Sequence, residues 1–160
     1  MHDHSAGVGA VGLVFFTYLL SYGALTGIAQ QAAPRGWLDH GSFVVAAAVV
    51  VAEVFCRSAY LLLAWRGRPS HGGLGAAFIA GFGPRHVLVG IVVAAPALVG
   101  AWWLGWLPLV LGFAAPWAAA LVLLRTAERL LGGIGGDVLG ASQELARAAV
   151  LLAIALGVGL

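Results

Sequence analysis

Five long apolar runs, separated by shorter polar breaks, constrain this chain more than any other feature of its sequence. The runs cover residues 8–29, 42–65, 87–106, 107–124 and 138–160. About 20 predominantly apolar residues suffice for one helix to cross the hydrocarbon core of a bilayer. Only 9% of the residues are charged, against ~25% in a typical soluble domain. The sequence therefore predicts an all-α fold, a polytopic transmembrane helix bundle of about five spans that forms a single integral membrane domain over residues 1–160.

Charge, cysteine content and motif content exclude several classes of protein. The net charge is only +2 and all eight basic residues are arginines, which lie scattered along the chain, so no nucleic-acid-binding patch is expected. The single cysteine, Cys56, lies inside an apolar run and cannot form an internal disulfide. Neither a nucleotide-binding P-loop motif nor a Cys and His spacing typical of zinc sites occurs in the sequence.

The connection between the last two apolar runs is the strongest candidate for a functional site. Four of the five residues 132–136 are glycines, Asp137 follows them, and Glu144 comes seven residues later. A glycine-rich turn before a helix directs free backbone N–H groups at a phosphate. The two carboxylates lie about 20° apart around an ideal helix, and such oxygens suit Mg²⁺. The alternative is an ordinary helix–loop–helix turn in which Asp137 caps the second helix.

A second polar break, residues 66–86, separates the second and third apolar runs. It holds three arginines, two histidines and six glycines. Its apolar piece, residues 74–80, is too short to span a membrane, which favours a re-entrant or interfacial turn. Arginines beside flexible glycines can bind phosphate through paired hydrogen bonds, although a positively charged cytoplasmic loop would also explain them.

Two charged residues, Glu53 and Arg57, lie near the middle of the second apolar run. Four residues separate them, so the sequence predicts that they pair on one face of a helix. Charges at this depth usually face a bundle interior or an aqueous cavity. Two interpretations stay open: an ion pair that stabilises helix packing, and a pair with a function.

The distribution of arginines predicts the orientation of the spans. Six arginines flank the two glycine-rich breaks, against Arg35 alone on the other side; the six are Arg66, Arg68, Arg85, Arg125, Arg129 and Arg147. Since cytoplasmic loops carry an excess of arginine and lysine, the N-terminus and both glycine-rich breaks are expected in the cytoplasm. The two candidate phosphate-binding loops then converge on one face of the membrane.

Three stretches resemble the cobalamin synthase family, the adenosylcobinamide-GDP ribazoletransferases, which are polytopic membrane enzymes. Residues 131–141, Leu-Gly-Gly-Ile-Gly-Gly-Asp-Val-Leu-Gly-Ala, are similar with Glu144 to the C-terminal motif of that family. Arg57, Arg68 and the Gly-Leu-Gly-Ala-Ala-Phe of residues 73–78 resemble a second motif, and residues 1–7 resemble a third. Two departures stand out. Gly135 replaces a threonine of the family, and the acidic motif expected upstream is absent.

The resemblance implies a magnesium-dependent transferase of substituted phosphate groups in the bacterial inner membrane. It would join α-ribazole, or its 5′-phosphate, to adenosylcobinamide-GDP and release GMP, in the last steps of cobalamin biosynthesis. We expect Asp137 to act as a catalytic residue and metal ligand, with Glu144 and Asp3 as further acidic residues of the site. The expected phosphate contacts are Arg57, Arg68, Gly73, Gly75, Gly133, Gly135 and Gly136.

The missing acidic motif predicts that this chain alone is inactive. The chain would then be a fragment, one half of a split enzyme, or a diverged remnant. Its expected partner is a second polypeptide that carries the acidic motif, or further copies of the same chain in a homo-oligomer. Two other classes of function stay open. A non-enzymatic small membrane transporter or scaffold would use Glu53 and Arg57 to line a path through the bundle. A lipid-synthesis enzyme similar to CDP-alcohol phosphotransferases would need the same kind of upstream acidic motif.

Overall fold

The computed structural model of the chain describes residues 8–32, 41–69 and 74–158. Within these ranges all regular secondary structure is helical, which confirms the predicted all-α class. The helices, in chain order, are α1 Val8–Ala32, α2 Gly41–Arg66, α3 Leu74–Ala80, α4 Pro84–Leu104, α5 Trp106–Leu130 and α6 Gly136–Val158.

Five of these helices, all except α3, are long and apolar enough to cross a membrane. The predicted number of spans is therefore confirmed, and α3, with seven residues, is too short to span. The largest difference in bounds concerns α5, which continues six residues past residue 124 and ends at Leu130. This last stretch carries Arg125 and Arg129 but contains no helix-breaking residue, so the helix extends beyond the apolar run.

α6 lies at the centre of the bundle and packs against α5, α2 and α1. α2 also contacts α4 and α5. The main core lies between these helices and includes fully buried Ile28, Phe55, Val150 and Ile154. Large apolar side chains on α1, α4 and α5 point away from this core and are exposed, as expected for surfaces that face lipid acyl chains.

Close helix contacts at the α4–α5 end of the bundle depend on small residues. Gly105 alone connects α4 to α5, with a φ of 135° that favours glycine. A Cβ atom placed on Gly157 of α6 would lie 2.6 Å from Cγ and 2.9 Å from the backbone nitrogen of Pro108. The missing side chain thus lets α5 and α6 approach closely, as small residues do between membrane helices. Trp102, Trp103 and Trp106 are exposed around this turn.

Candidate phosphate-binding site

The Gly-rich turn, residues 131–135 between α5 and α6, is attached to the connection that follows α2. The backbone N–H of Ile134 donates a hydrogen bond of 2.7 Å to the carbonyl oxygen of Arg68, and Pro69 pairs with Ile134 in an isolated parallel bridge. The Ile134 side chain is buried and lies against Gly67. The predicted convergence of the two glycine-rich breaks is therefore confirmed for residues 67–69.

The backbone of the turn ends one helix and leaves donors at the start of the next. The N–H groups of Leu131 and Gly133 both donate to the carbonyl of Ala127, at 2.8 and 3.3 Å, and so close the end of α5. Gly132 has a φ of 72°, a conformation that favours glycine. The N–H of Leu139 donates to Gly135 at 3.2 Å. Earlier N–H groups of α6 have no intrahelical acceptor, and this end of a helix attracts anions.

Asp137 lies in the first turn of α6, as predicted, and is exposed. It borders a cavity of about 300 Å³ whose other walls include Thr126 and Leu130 of α5. In the part of the chain that the structure describes, no group of three or more His, Cys, Asp or Glu side chains could hold a metal ion. Mg²⁺ is commonly bound through one or two carboxylates, several waters and substrate phosphates. Asp137 therefore fits a magnesium site as one protein ligand, with phosphate and water completing it.

A charged seam joins α2 to α6 and consists of Glu53, Arg57, Gln143, Glu144 and Arg147. The Arg147 guanidinium binds two carboxylates: its Nε donates to Glu53 Oε1, and its Nη1 donates to Glu144 Oε2 at 2.6 Å. The predicted pair between Glu53 and Arg57 is therefore wrong. Glu53 forms its ion pair across the helix interface, where the planar guanidinium of Arg147 reaches both carboxylates at once.

Arg57 has a different partner. With the Gln143 amide oriented so that its oxygen faces α2, this oxygen accepts hydrogen bonds from Arg57 Nε at 3.3 Å and Nη2 at 3.1 Å. Among the described residues, no carboxylate lies within salt-bridge distance of Arg57, and its side chain is exposed. Arg57 thus carries a positive charge that the seam does not neutralise locally.

The other residues predicted for the site are distributed unevenly. Gly133, Gly135 and Gly136 lie in the turn or at the first residue of α6, and Arg68 beside it is exposed. Gly75 lies in α3. Glu144 is seven residues from Asp137, about 10 Å along the helix axis, and binds Arg147. Asp3 and Gly73 fall outside the described residues.

Arg147, Gln143 and Ile134 are the residues that sequence reasoning missed. The charge distribution predicts that Arg147 lies among the arginines at the cytoplasmic ends of the spans, but it lies in α6 opposite Glu53. The sequence does contain a signal for the pairing of Arg147. A carboxylate in the middle of a span, such as Glu53, needs a partner, and Arg147 lies three residues after Glu144. Ile134 stands alone among glycines, and an apolar residue in such a turn commonly has a packing role.

A larger cavity of about 730 Å³ lies among α2, α4 and α5. Its walls are almost entirely apolar and include Phe55, Phe113 and Trp117, with Ser58 as a polar residue. Glu53 and Arg57 do not line it. This cavity therefore gives no support to a transporter in which these two charged residues border the path.

Comparison with known proteins identifies the family. The family model described as cobalamin-5-phosphate synthase matches residues 1–155. Two relatives with more than one-third identity are named adenosylcobinamide-GDP ribazoletransferase. The protein of Haloquadratum walsbyi is 36% identical over 94% of this chain and 56% of its own length. The protein of Halorubrum lacusprofundi is 37% identical over 94% of this chain and 58% of its own length.

A third relative with the same name, from Methanococcoides burtonii, is 27% identical over 99% of this chain and 56% of its own length. The chain thus spans little more than half the length of these curated relatives. No solved structure matches the chain. Since the family model covers nearly every residue, the chain belongs to the cobalamin-5-phosphate synthase family.

Proposed function

We propose that this chain forms the membrane-embedded phosphate-binding part of an adenosylcobinamide-GDP ribazoletransferase. In the proposed reaction, a hydroxyl oxygen of α-ribazole, or of its 5′-phosphate, attacks the phosphorus nearest the cobinamide. The bond from this phosphorus to the bridging oxygen breaks, GMP leaves with that oxygen, and a base takes the hydroxyl proton. The family match over residues 1–155 is the observation that carries this proposal.

The geometry of the turn supports a role in holding the pyrophosphate of adenosylcobinamide-GDP. Phosphoryl transfer depends mainly on positioning and on neutralising charge. The free N–H groups at the start of α6 and the exposed side chain of Arg68 lie beside the same short backbone bridge. Arg57 supplies a further positive charge on α2. Glycines at residues 135 and 136 allow the phosphates to approach the backbone closely, whereas Gly133 is buried and its N–H binds the Ala127 carbonyl.

Asp137 is the proposed acidic residue of this part of the site. Its exposed carboxylate at the start of α6 can hold Mg²⁺, which would supply positive charge to the phosphate oxygens when bound. We assign Glu144 a supporting role, because its carboxylate binds Arg147 and so orients the seam. Asp3 remains a proposed secondary contributor.

The proposed setting is a cell membrane, with the bacterial inner membrane as the expected one. Five membrane-length helices support the multi-pass arrangement. The cytoplasmic N-terminus is inferred from the distribution of arginines. Without Arg147, which belongs to the seam, five arginines lie near the glycine-rich breaks, and Arg35 alone lies on the other side of the membrane. Because the chain covers 56% of the length of the Haloquadratum walsbyi relative, we propose that activity needs a further polypeptide segment with acidic residues.

The experiment is co-expression of this chain with the coding region immediately upstream. Membranes are assayed for GMP and adenosylcobalamin formed from adenosylcobinamide-GDP and α-ribazole, with Mg²⁺. We expect activity only when both pieces are present. Replacement of Asp137 by Asn should lower kcat/KM by about 100-fold or more, because residues that only orient metal ligands already account for about 10- to 100-fold.

Glu128→Gln is the matched control, since Glu128 is an exposed carboxylate near the end of α5 and outside the proposed site. This variant should retain full activity. Turnover by the purified chain without any partner would contradict the proposed incompleteness. Wild-type activity of Asp137→Asn would remove Asp137 from the site.

A further inference from the structure

The carboxylates of the charged seam are shared unequally between its two arginines. Glu53 and Glu144 both bind Arg147. Among the described residues, the hydrogen-bond partner of Arg57 is the neutral amide of Gln143, oriented with its oxygen towards α2. A guanidinium carries five N–H donors, and the contacts of Arg57 use its Nε and one terminal nitrogen. Since Arg57 is also exposed, donors and charge remain available to an external anion.

Local helix geometry alone would give a different pairing. Glu53 lies four residues before Arg57 on α2, the spacing and order at which a carboxylate and an arginine pair most readily. The Glu53 carboxylate is therefore within reach of Arg57 by its position in the chain. Arg147 nevertheless engages it, together with Glu144.

We infer that Arg147 is a positioning residue that keeps Glu53 away from Arg57, so that Arg57 can bind a phosphate-containing ligand. This inference rests on the proposed function, in which Arg57 is a phosphate contact. Without Arg147, the freed carboxylate of Glu53 would turn to Arg57 and compete with the phosphate for its donors. Arg147 thus acts on ligand binding through the charge of Arg57, without a contact of its own to the ligand.

The test measures binding of inorganic pyrophosphate to the purified 160-residue chain in detergent, by isothermal titration calorimetry. Arg57→Gln should weaken binding about 10- to 100-fold, the loss expected for a charge-assisted hydrogen bond. Arg147→Gln should weaken it by a similar factor. The double variant Glu53→Gln/Arg147→Gln should restore binding to within about threefold of the unmodified chain, because no freed Glu53 carboxylate remains. That factor is an order-of-magnitude expectation for non-additive neighbours.

Calorimetry reports stoichiometry and affinity separately: misfolded chain lowers the stoichiometry, whereas loss of positioning lowers the affinity of the folded chain. Rescue of the affinity in the double variant at unchanged stoichiometry therefore separates positioning from a merely structural role, which would move the stoichiometry because Glu53→Gln also removes the charge left unpaired by Arg147→Gln. If Arg147→Gln alone fails to fold, the double variant must still bind pyrophosphate as the unmodified chain does, and weaker binding overturns the inference. Arg129→Gln, an exposed arginine at the end of α5, is the matched control and should bind normally.

Each other outcome overturns the inference in a distinguishable way. If Arg57→Gln weakens binding but Arg147→Gln does not, Arg147 has no positioning role and the proposed function stands. If the double variant binds as poorly as Arg147→Gln, competition by Glu53 is excluded. If Arg57→Gln binds normally, or the unmodified chain binds no pyrophosphate, the phosphate role of Arg57 falls as well, while the activity assay still decides the proposed reaction.

Discussion

The two turns that enclose α5 both depend on glycine, but they use it for opposite purposes. At the α4–α5 turn, Gly105 donates to the carbonyls of Ala101 and Trp102, each at 3.1 Å, and apolar groups surround it. At the α5–α6 turn, five residues connect the helices and leave the first N–H groups of α6 without intrahelical acceptors. The first turn serves close packing, and the second leaves backbone donors available to a ligand.

The difference extends along the whole bundle. At the α4–α5 end, Pro108 is fully buried against Gly157 of α6, and exposed tryptophans surround the turn. At the other end, Asp137 and Arg68 are exposed, and a hydrogen-bonded backbone bridge joins two loops. One end therefore consists of close apolar packing, while the other combines a buried anchor at Ile134 with the exposed polar groups of the proposed chemistry.

Ile134→Ala should produce the largest loss of stability, because it removes the buried anchor between the Gly-rich turn and residues 67–69. Ile134 is 1% exposed, and truncation of such a residue costs about 2–5 kcal/mol. The measurement is the free energy of unfolding in mixed detergent–SDS micelles. Leu130→Ala, an exposed apolar residue in α5, is the control and should change it little. Equal losses in both variants would show that Ile134 does not anchor the turn.

Gly157→Ala should have the next largest effect, at the opposite end of the bundle. The added Cβ would meet Pro108, including its backbone nitrogen at 2.9 Å, and overpacking of this kind costs about 1–3 kcal/mol. Gly23→Ala on α1 is the control, because nothing lies within 4 Å of a Cβ there. Gly157→Ala should lower the free energy of unfolding without changing the affinity for pyrophosphate. A change in affinity with unchanged stability would contradict the assignment of packing to this end of the bundle and of phosphate binding to the other.

Gly132→Ala should have a smaller effect on stability. Its φ of 72° disfavours a side chain, although nothing lies within 4 Å of the added Cβ, so the cost is conformational strain of about 1–2 kcal/mol. Gly136→Ala has equal space and no positive φ, which makes it the matched control for stability. Thermal unfolding followed by circular dichroism compares them, and equal melting temperatures would argue against the left-handed conformation at residue 132.

Much of the fold could be predicted because hydropathy reports directly on membrane spans. The five spans, the short α3 and the first-turn position of Asp137 follow from apolar run lengths and from the glycines before residue 137. The partners of Glu53 and Arg57 could not be predicted, because the sequence shows spacing within a helix but not which helix lies opposite. The hydrogen bond from Ile134 to Arg68 likewise depends on how α2 and α6 pack in three dimensions.

The most direct test of the account is a double-mutant cycle on kcat/KM with Arg68→Gln, Asp137→Asn and the combined variant, in the co-expressed active enzyme. If both side chains belong to one phosphate-binding site, formed by the Gly-rich turn and the segment after α2, the two defects should be coupled by about 0.5 kcal/mol or more, as for residues with a shared partner. Free-energy changes that add to within about 0.3 kcal/mol, the behaviour of independent sites, would contradict a single site.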